Sequence, residues 1–258
     1  SNVHLHGSSF YDYLSLRKKF FVDTLHWQIP HNADVEMDQY DNPMARYSLV
    51  LDDDGRVLAG ARGMSTAAHW GDHTYMLKDA MTGKLSSIPS DVLPDVIESP
   101  KIWECTRLVI SPEVKSMRVR TQCLDLIVEG LIGMANAEGA DTLISLSNLW
   151  LLRALKRLGY GAELLGDPYE NSDDGHKYAV MAIAARHKQV ANTALHPNSV
   201  YPSPPPISLL RAHLSLFALL RFSSHPAASQ RFHPLGTLFP ALTAFYPRNH
   251  QLSYTHCI

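Results

Sequence analysis

The chain has 258 residues, 45% of them hydrophobic, and a formal net charge of −2, which suffices for one substantial core and argues against a basic nucleic-acid-binding face. It holds no run of about 18 apolar residues, and its first residues lack the basic, then apolar, then small-residue order of a secretory signal, so a cytoplasmic protein without a membrane span is expected. The three cysteines, Cys105, Cys123 and Cys257, lack metal-type spacing and read as reduced thiols.

In chain order, Leu14, Arg17, Phe21 and Leu25 fall on one helical stripe, which sets a guanidinium among apolar neighbours. Tyr47 to Leu51 and Val57 to Met64 read as strands joined by the turn Asp52-Asp53-Asp54-Gly55, and Lys101 to Ile110 reads as a third, more central strand. Leu124, Ile127, Val128, Leu131, Met134 and Ala135 give one helical face ending near Gly139. Strand Thr142 to Ser147, helix Trp150 to Leu158 with its stop at Gly159, and strand Tyr178 to Ala184 complete the series. Strands flanked by helices, with hairpins early and a strand-helix-strand unit late, predict an α/β fold: a mixed central sheet sandwiched by helices. Composition then changes. No acidic residue follows Asp174, and nine prolines lie between Thr193 and Ile258, so residues 1–192 read as the folded domain and 193–258 as a Pro/His-rich, irregular appended tail. Within that tail, Ile207 to Phe222 has the pattern of a short amphipathic helix.

The chemistry concentrates between Arg17 and Arg107. Arg17, three residues, Phe21, five residues, Trp27, ten residues, Asp38, two residues, Asp41 is followed by Arg62 and by Glu104-x-x-Arg107. This ordered set resembles the signature of acyl-homoserine-lactone synthases, and the strand-helix unit from Ser145 to Tyr160 extends the resemblance over roughly residues 10 to 186. The resemblance implies an N-acetyltransferase-like fold with a mostly antiparallel sheet. It also implies transfer of an acyl chain from acyl carrier protein, or sometimes coenzyme A, to the amine of S-adenosylmethionine. Lactonisation then gives a quorum-sensing autoinducer and releases methylthioadenosine. Adenosylmethionine and the acyl thioester are both substrates, so the resemblance calls for no cofactor and no metal.

Adenosylmethionine carries a carboxylate, a sulfonium and an amine, and a pocket for it needs guanidinium forks, carboxylates and aromatic faces. Phe21 and Trp27 suit the walls, and Asp38 and Asp41 suit the orientation of Arg17 and Arg62; the alternative is that these charges are structural ion pairs. Glu104 is the candidate general base, but a carboxylate held against Arg107 would be a weaker base, so positioning the amine directly or through water competes with that role. Residues three apart on a regular strand point to opposite faces, so Glu104 and Arg107 share a pocket only if their strand is bulged, and amides freed at such a bulge suit an oxyanion.

Lys115, Arg118 and Arg120, at the start of a helix, are candidates for the phosphopantetheine phosphate or an acidic carrier protein, against the reading of a solvated basic turn. The same loop lacks a glycine-rich pyrophosphate cradle, which points to carrier protein as donor. Leu108, Met134, Ser145, Leu146, Trp150 and Leu155 are candidates for the acyl-chain pocket, with core packing as the alternative; the resemblance places Ser145 beside the third acyl carbon. His69 and His73 are four apart with no third ligand in the sequence pattern. Met81, where the family usually has an aromatic residue, and a small insertion at Ala67 to Thr74 flank the expected adenosylmethionine pocket. Two other readings stand beside this one: a different N-acyltransferase on the same fold, and a non-catalytic homologue that binds a ligand without turnover.

Overall fold

Hydrophobic alternation at two-residue spacing builds the sheet, and a computed structural model describes residues 6–188 and 255–257. Arg46–Leu51 (β1) and Val57–Ser65 (β2) pair antiparallel around a turn where Gly55 takes φ +79°, a left-handed conformation that glycine adopts without strain. Ile102–Ile110 (β3) pairs antiparallel with β2, and Thr142–Asn148 (β4) lies parallel to β3 after the crossover helix Met117–Ala137 (α3). Helix Leu149–Arg157 (α4) and the two-residue strands Glu163–Leu164 (β5) and Tyr169–Glu170 (β6) lead to Lys177–Ala184 (β7), antiparallel to β4. Thr255–Cys257 (β8) pairs antiparallel with β1. The spatial order is β5-β7-β4-β3-β2-β1-β8, with β6 beside β7.

The mixed, mostly antiparallel sheet expected from the sequence is therefore present. The tail forms strand structure at 255–257, where the sequence suggests none; the rest of 193–258, including the helix expected over Ile207 to Phe222, lies outside the described residues.

Alternation along the strands sorts the core onto two faces. One face carries Trp103, Cys105, Ile110, Leu143, Met181 and Ile183 against Leu124, Ile127, Val128, Leu131 and Ala135 of α3 and Leu151 and Leu155 of α4. The other packs Leu49 and Val109 against Tyr13, Leu14 and Phe21 of the N-terminal segment. Ser9–Arg17 (α1) continues directly into a π-helical turn, Lys18–Thr24, an irregularity common near functional sites. A short helix, Met76–Met81 (α2), stands where the sequence pattern marks no element.

Two departures from regularity open the fold. β3 and β4 are paired only from Ile102↔Thr142 to Glu104↔Ile144 and are unpaired beyond. The register of β2 against β3 jumps from Arg62↔Thr106 to Gly60↔Val109, so Arg107 and Leu108 together oppose Ala61. Arg107 has φ +55°, a costly conformation for a residue with a Cβ. This is the bulge that Glu104 and Arg107 require, and it resets the alternation. Glu104, Thr106 and Arg107 face the N-terminal side, while Leu108 returns to the α3 side. Tyr13 secures the distortion by donating its hydroxyl to the Arg107 carbonyl at 2.8 Å. A Cβ on Gly60 would lie 2.8 Å from the Tyr13 ring and 2.6 Å from Leu49, so only glycine leaves room for that anchor.

Candidate active site

The sequence brings three acids and three arginines to the open end of β3, where they pair almost completely. Arg17 donates both terminal nitrogens to Asp41, at 2.7 and 2.9 Å, and its Nε to Glu36. Arg62 donates Nη1 and Nη2 to Asp38, at 2.5 and 3.2 Å, and its Nε to the Thr106 hydroxyl at 3.0 Å. Arg107 donates Nη2 to Asp38 at 2.8 Å and Nε to Glu36 at 3.3 Å. Tyr47 adds a hydroxyl donor to Asp41, and the Asp38 amide donates back to the same carboxylate. Burial alone would raise the Asp38 and Asp41 pKa values, but Arg62 next to both, with Arg107 beside Asp38 and Arg17 beside Asp41, holds them below the usual carboxylate range.

A cavity of about 510 Å³ opens against one side of this network. Asp38, Thr106 and Arg107 line it together with Phe21 and Trp27. Arg17, Asp41 and Arg62 do not line it: Arg17 and Arg62 are 0% and 1% exposed, and their donors are taken up by the acids and the Thr106 hydroxyl. Asp41 and Asp38 do orient Arg17 and Arg62, but they do so from inside the wall. The acids pull both guanidiniums into the wall, and of the three network arginines only Arg107 reaches the cavity.

Glu104 departs from expectation in its partners. It does not pair with Arg107; its two oxygens accept the backbone N–H groups of Leu77 at 2.9 Å and Met76 at 2.8 Å. Burial pushes its pKa up to about 7, and those two amide bonds, with Arg62, pull it back only in part. The premise that Arg107 weakens this base is therefore overturned: Arg107 is spent on Glu36 and Asp38. Glu104 is 2% exposed and lies just behind the cavity surface, whose lining includes its neighbours Met76 and Thr106.

The aromatic wall is assembled from both ends of the described chain. Phe21 and Trp27 stack with centroids 5.0 Å apart, and the Arg107 guanidinium sits 5.6 Å from the Phe21 ring centre. The Trp27 indole N–H donates to Asp174 at 3.1 Å, and the Tyr178 hydroxyl donates to the same oxygen at 2.7 Å.

Of the acyl-pocket candidates, Leu108, Ser145, Leu146 and Trp150 line the main cavity. Leu108 and Ser145 also border a second, narrow space of about 40 Å³ between the sheet and the helices, with Leu155, Val128 and Leu131. Met134 lines neither; it packs half-buried against the core. Lys115 and Arg118 are exposed at the start of α3, capped by Ser116, whereas Arg120 turns inward, donates to the Ser111 and Val114 carbonyls and lines the cavity. His69 and His73 pair with different acids, Glu98 at 3.3 Å and Asp79 at 3.8 Å. Among the described residues no helix is long and apolar enough to cross a membrane.

Sequence reasoning misses Glu36, Thr106, the α2 amides and Asp174. Glu36 is fully buried between Arg17 and Arg107, and the excess of buried guanidinium charge over Asp38 and Asp41 is the one signal that asks for it.

A family model described as autoinducer synthase matches residues 2–190. The chain belongs to the autoinducer synthase family. An acyl-homoserine-lactone synthase of Acinetobacter nosocomialis is 32% identical over 161 residues, covering 60% of this chain and 81% of the relative. One from Agrobacterium fabrum is 28% identical over 153 residues, covering 59% and 69%. The autoinducer synthase fold also recurs in solved structures. TofI, in a ternary complex with an inhibitor and MTA, aligns with a TM-score of 0.56 at 23% identity over 71% of this chain and 85% of TofI. BjaI, a CoA-dependent acyl-homoserine lactone synthase with SAM and isopentyl-CoA, aligns with a TM-score of 0.57 at 20% identity over 72% and 80%.

Proposed function

We propose that this autoinducer synthase acylates the amine of S-adenosylmethionine and closes the product to an N-acyl-homoserine lactone. The observation that carries the reading is the cavity wall in which Asp38 and Arg107 stand beside the Phe21 and Trp27 rings, with Leu108 and Ser145 lining both this cavity and an adjoining apolar space under the helices. A charged amino acid fits the first part and a thioester's hydrocarbon chain the second. Arg107 offers Nη1, which carries neither the Glu36 nor the Asp38 bond, to the substrate carboxylate, Asp38 offers an acceptor to its ammonium, and the aromatic faces suit the sulfonium. Arg17, Asp41 and Arg62 act from behind, by holding those two groups rigid.

Glu104, with a pKa of about 7, suits removal of a proton from the ammonium, directly or through water. The amine nitrogen then attacks the thioester carbonyl, the C–S bond breaks, and the thiolate leaves as thiol with a proton. Amides of the bulged segment are the candidates for stabilising the oxyanion. In the second step a carboxylate oxygen attacks the γ-carbon, and the sulfonium sulfur takes the bonding pair away as methylthioadenosine. Both steps are polar displacements that require neither metal nor redox cofactor. Exposed Lys115 and Arg118 beside the cavity-lining Arg120 support an acidic carrier protein as donor, and a cytoplasmic location agrees with that supply.

The test incubates the full chain with adenosylmethionine and a panel of acyl-carrier-protein and acyl-coenzyme A thioesters, with mass spectrometry of products. Lactone and methylthioadenosine together are expected. Thiol release without methylthioadenosine identifies a different N-acyltransferase, and absence of all products with every donor overturns the assignment.

A further inference from the structure

We infer that Asp174 is a positioning residue for substrate binding: it holds the indole of Trp27 in the orientation that presents its face to the cavity. The inference rests on the adenosylmethionine reading above and adds a residue from outside the N-terminal signature. Trp27 follows a strained backbone. His26 has φ +59°, and the chain leaves the π-helical turn through Trp27 N–H donating to the Phe21 carbonyl at 2.9 Å. That bond sets where the ring begins but not its rotation. Rotation is set 147 residues later. Asp174 accepts the indole N–H on Oδ2 at 3.1 Å, accepts the Tyr178 hydroxyl on the same oxygen at 2.7 Å, and accepts the His176 amide on Oδ1 at 3.0 Å.

The carboxylate is thereby fixed by β7 and by its own loop before it touches Trp27, so it acts as a rigid acceptor. Tyr178 reinforces it with an edge contact to the indole, centroids 6.1 Å apart, and Phe21 stacks on the same indole at 5.0 Å. Trp27, Tyr178, Asn171 and His176 all line the cavity, so the clamp sits at its rim. Hydrogen bonding to charged acceptors is roughly twice as strong as between neutral groups, and a carboxylate behind the N–H enriches the ring face that a sulfonium would meet. Asp174 itself touches no reacting atom in this scheme; it acts through Trp27.

The experiment is a double-mutant cycle on the full chain, with KM for adenosylmethionine and kcat measured separately at saturating acyl donor. D174A is expected to raise KM about tenfold, the loss of one charge-assisted hydrogen bond, with kcat changed less than about twofold. D174N, which keeps one acceptor oxygen for the indole but loses the charge and the acceptor for the His176 amide, is expected to recover only part of that loss. In the W27F background, which keeps an aromatic face but has no N–H to donate, D174A is expected to change KM by less than about twofold, because the coupled group is already gone. An equal rise in both backgrounds, or an unchanged KM in D174A, overturns the inference. If D174A does not fold, D174S takes its place in the same cycle: a KM raised at least about fivefold supports the inference, and an unchanged KM overturns it. Loss of all product in the unmutated chain would instead strike the adenosylmethionine reading.

Discussion

The Glu104 carboxylate accepts the backbone N–H of Met76 at 2.8 Å, from a six-residue helix packed over the bulged strand. It is an acid whose burial outweighs its donors, leaving its pKa at about 7. As a general base it works only when ionised, so kcat/KM is expected to rise with pH through an apparent value near 7 and to level off above it. E104Q should lower kcat by about 10²-fold or more and remove that limb, as a pH–rate profile from pH 5 to 9 will read. The same shift predicts stability. The folded-state value lies above the ordinary carboxylate value of 4.5, so the native state binds more protons between roughly pH 4.5 and 7. The contribution is complete below that window and is lost as pH rises through about 7. The melting temperature of E104Q should therefore fall less over this interval than that of the unmutated chain.

Arg17 is wholly buried and shared between Glu36 and Asp41. Removing it strands two carboxylates in the interior, which costs about 3–5 kcal/mol where it has been measured for buried pairs. R17A should lose stability on that scale in urea unfolding, and R17K should recover little, since an ammonium cannot reproduce the fork on Asp41. A loss under about 1 kcal/mol would mean that the network is solvated and relaxed.

Gly60 leaves the space in which the Tyr13 ring crosses β2 to reach the Arg107 carbonyl. G60A should destabilise by about 1–3 kcal/mol through overpacking, as thermal unfolding reads. Activity should fall beyond that loss of folded protein, because displacing Tyr13 frees the bulge that aims Arg107. Y13F keeps the ring and removes only the hydroxyl bond; it should share the activity defect with a smaller loss of stability, about 1 kcal/mol.

Leu155, Val128 and Leu131 line the narrow space together with Leu108 and Ser145. L155F should shorten the preferred acyl chain, since each methylene denied burial costs about 0.8 kcal/mol, roughly fourfold in kcat/KM. M134A, at a position lining neither space, should leave chain preference unaltered. Lactone profiles over a series of donor lengths distinguish the two.

Much of this molecule was legible in its residues. Period-two runs marked β1, β2, β3, β4 and β7, and period-3.6 runs marked α3 and α4, because apolar burial is a local rule written at fixed spacing. The ordered set from Arg17 to Arg107 marked the site through its resemblance to the family signature; by spacing alone, only Arg17 stood out, a guanidinium on an apolar helical stripe. Direction and pairing were not legible. Whether Arg17 points at a ligand or at Glu36, whether Glu104 meets Arg107 or the Met76 and Leu77 amides, and that Trp27 leans on Asp174 are decided only when β3 bulges and segments distant in sequence converge. Sequence determines which groups must be paired when buried. Tertiary structure decides with whom, since the energy of a buried charge depends on neighbours that chain order does not specify.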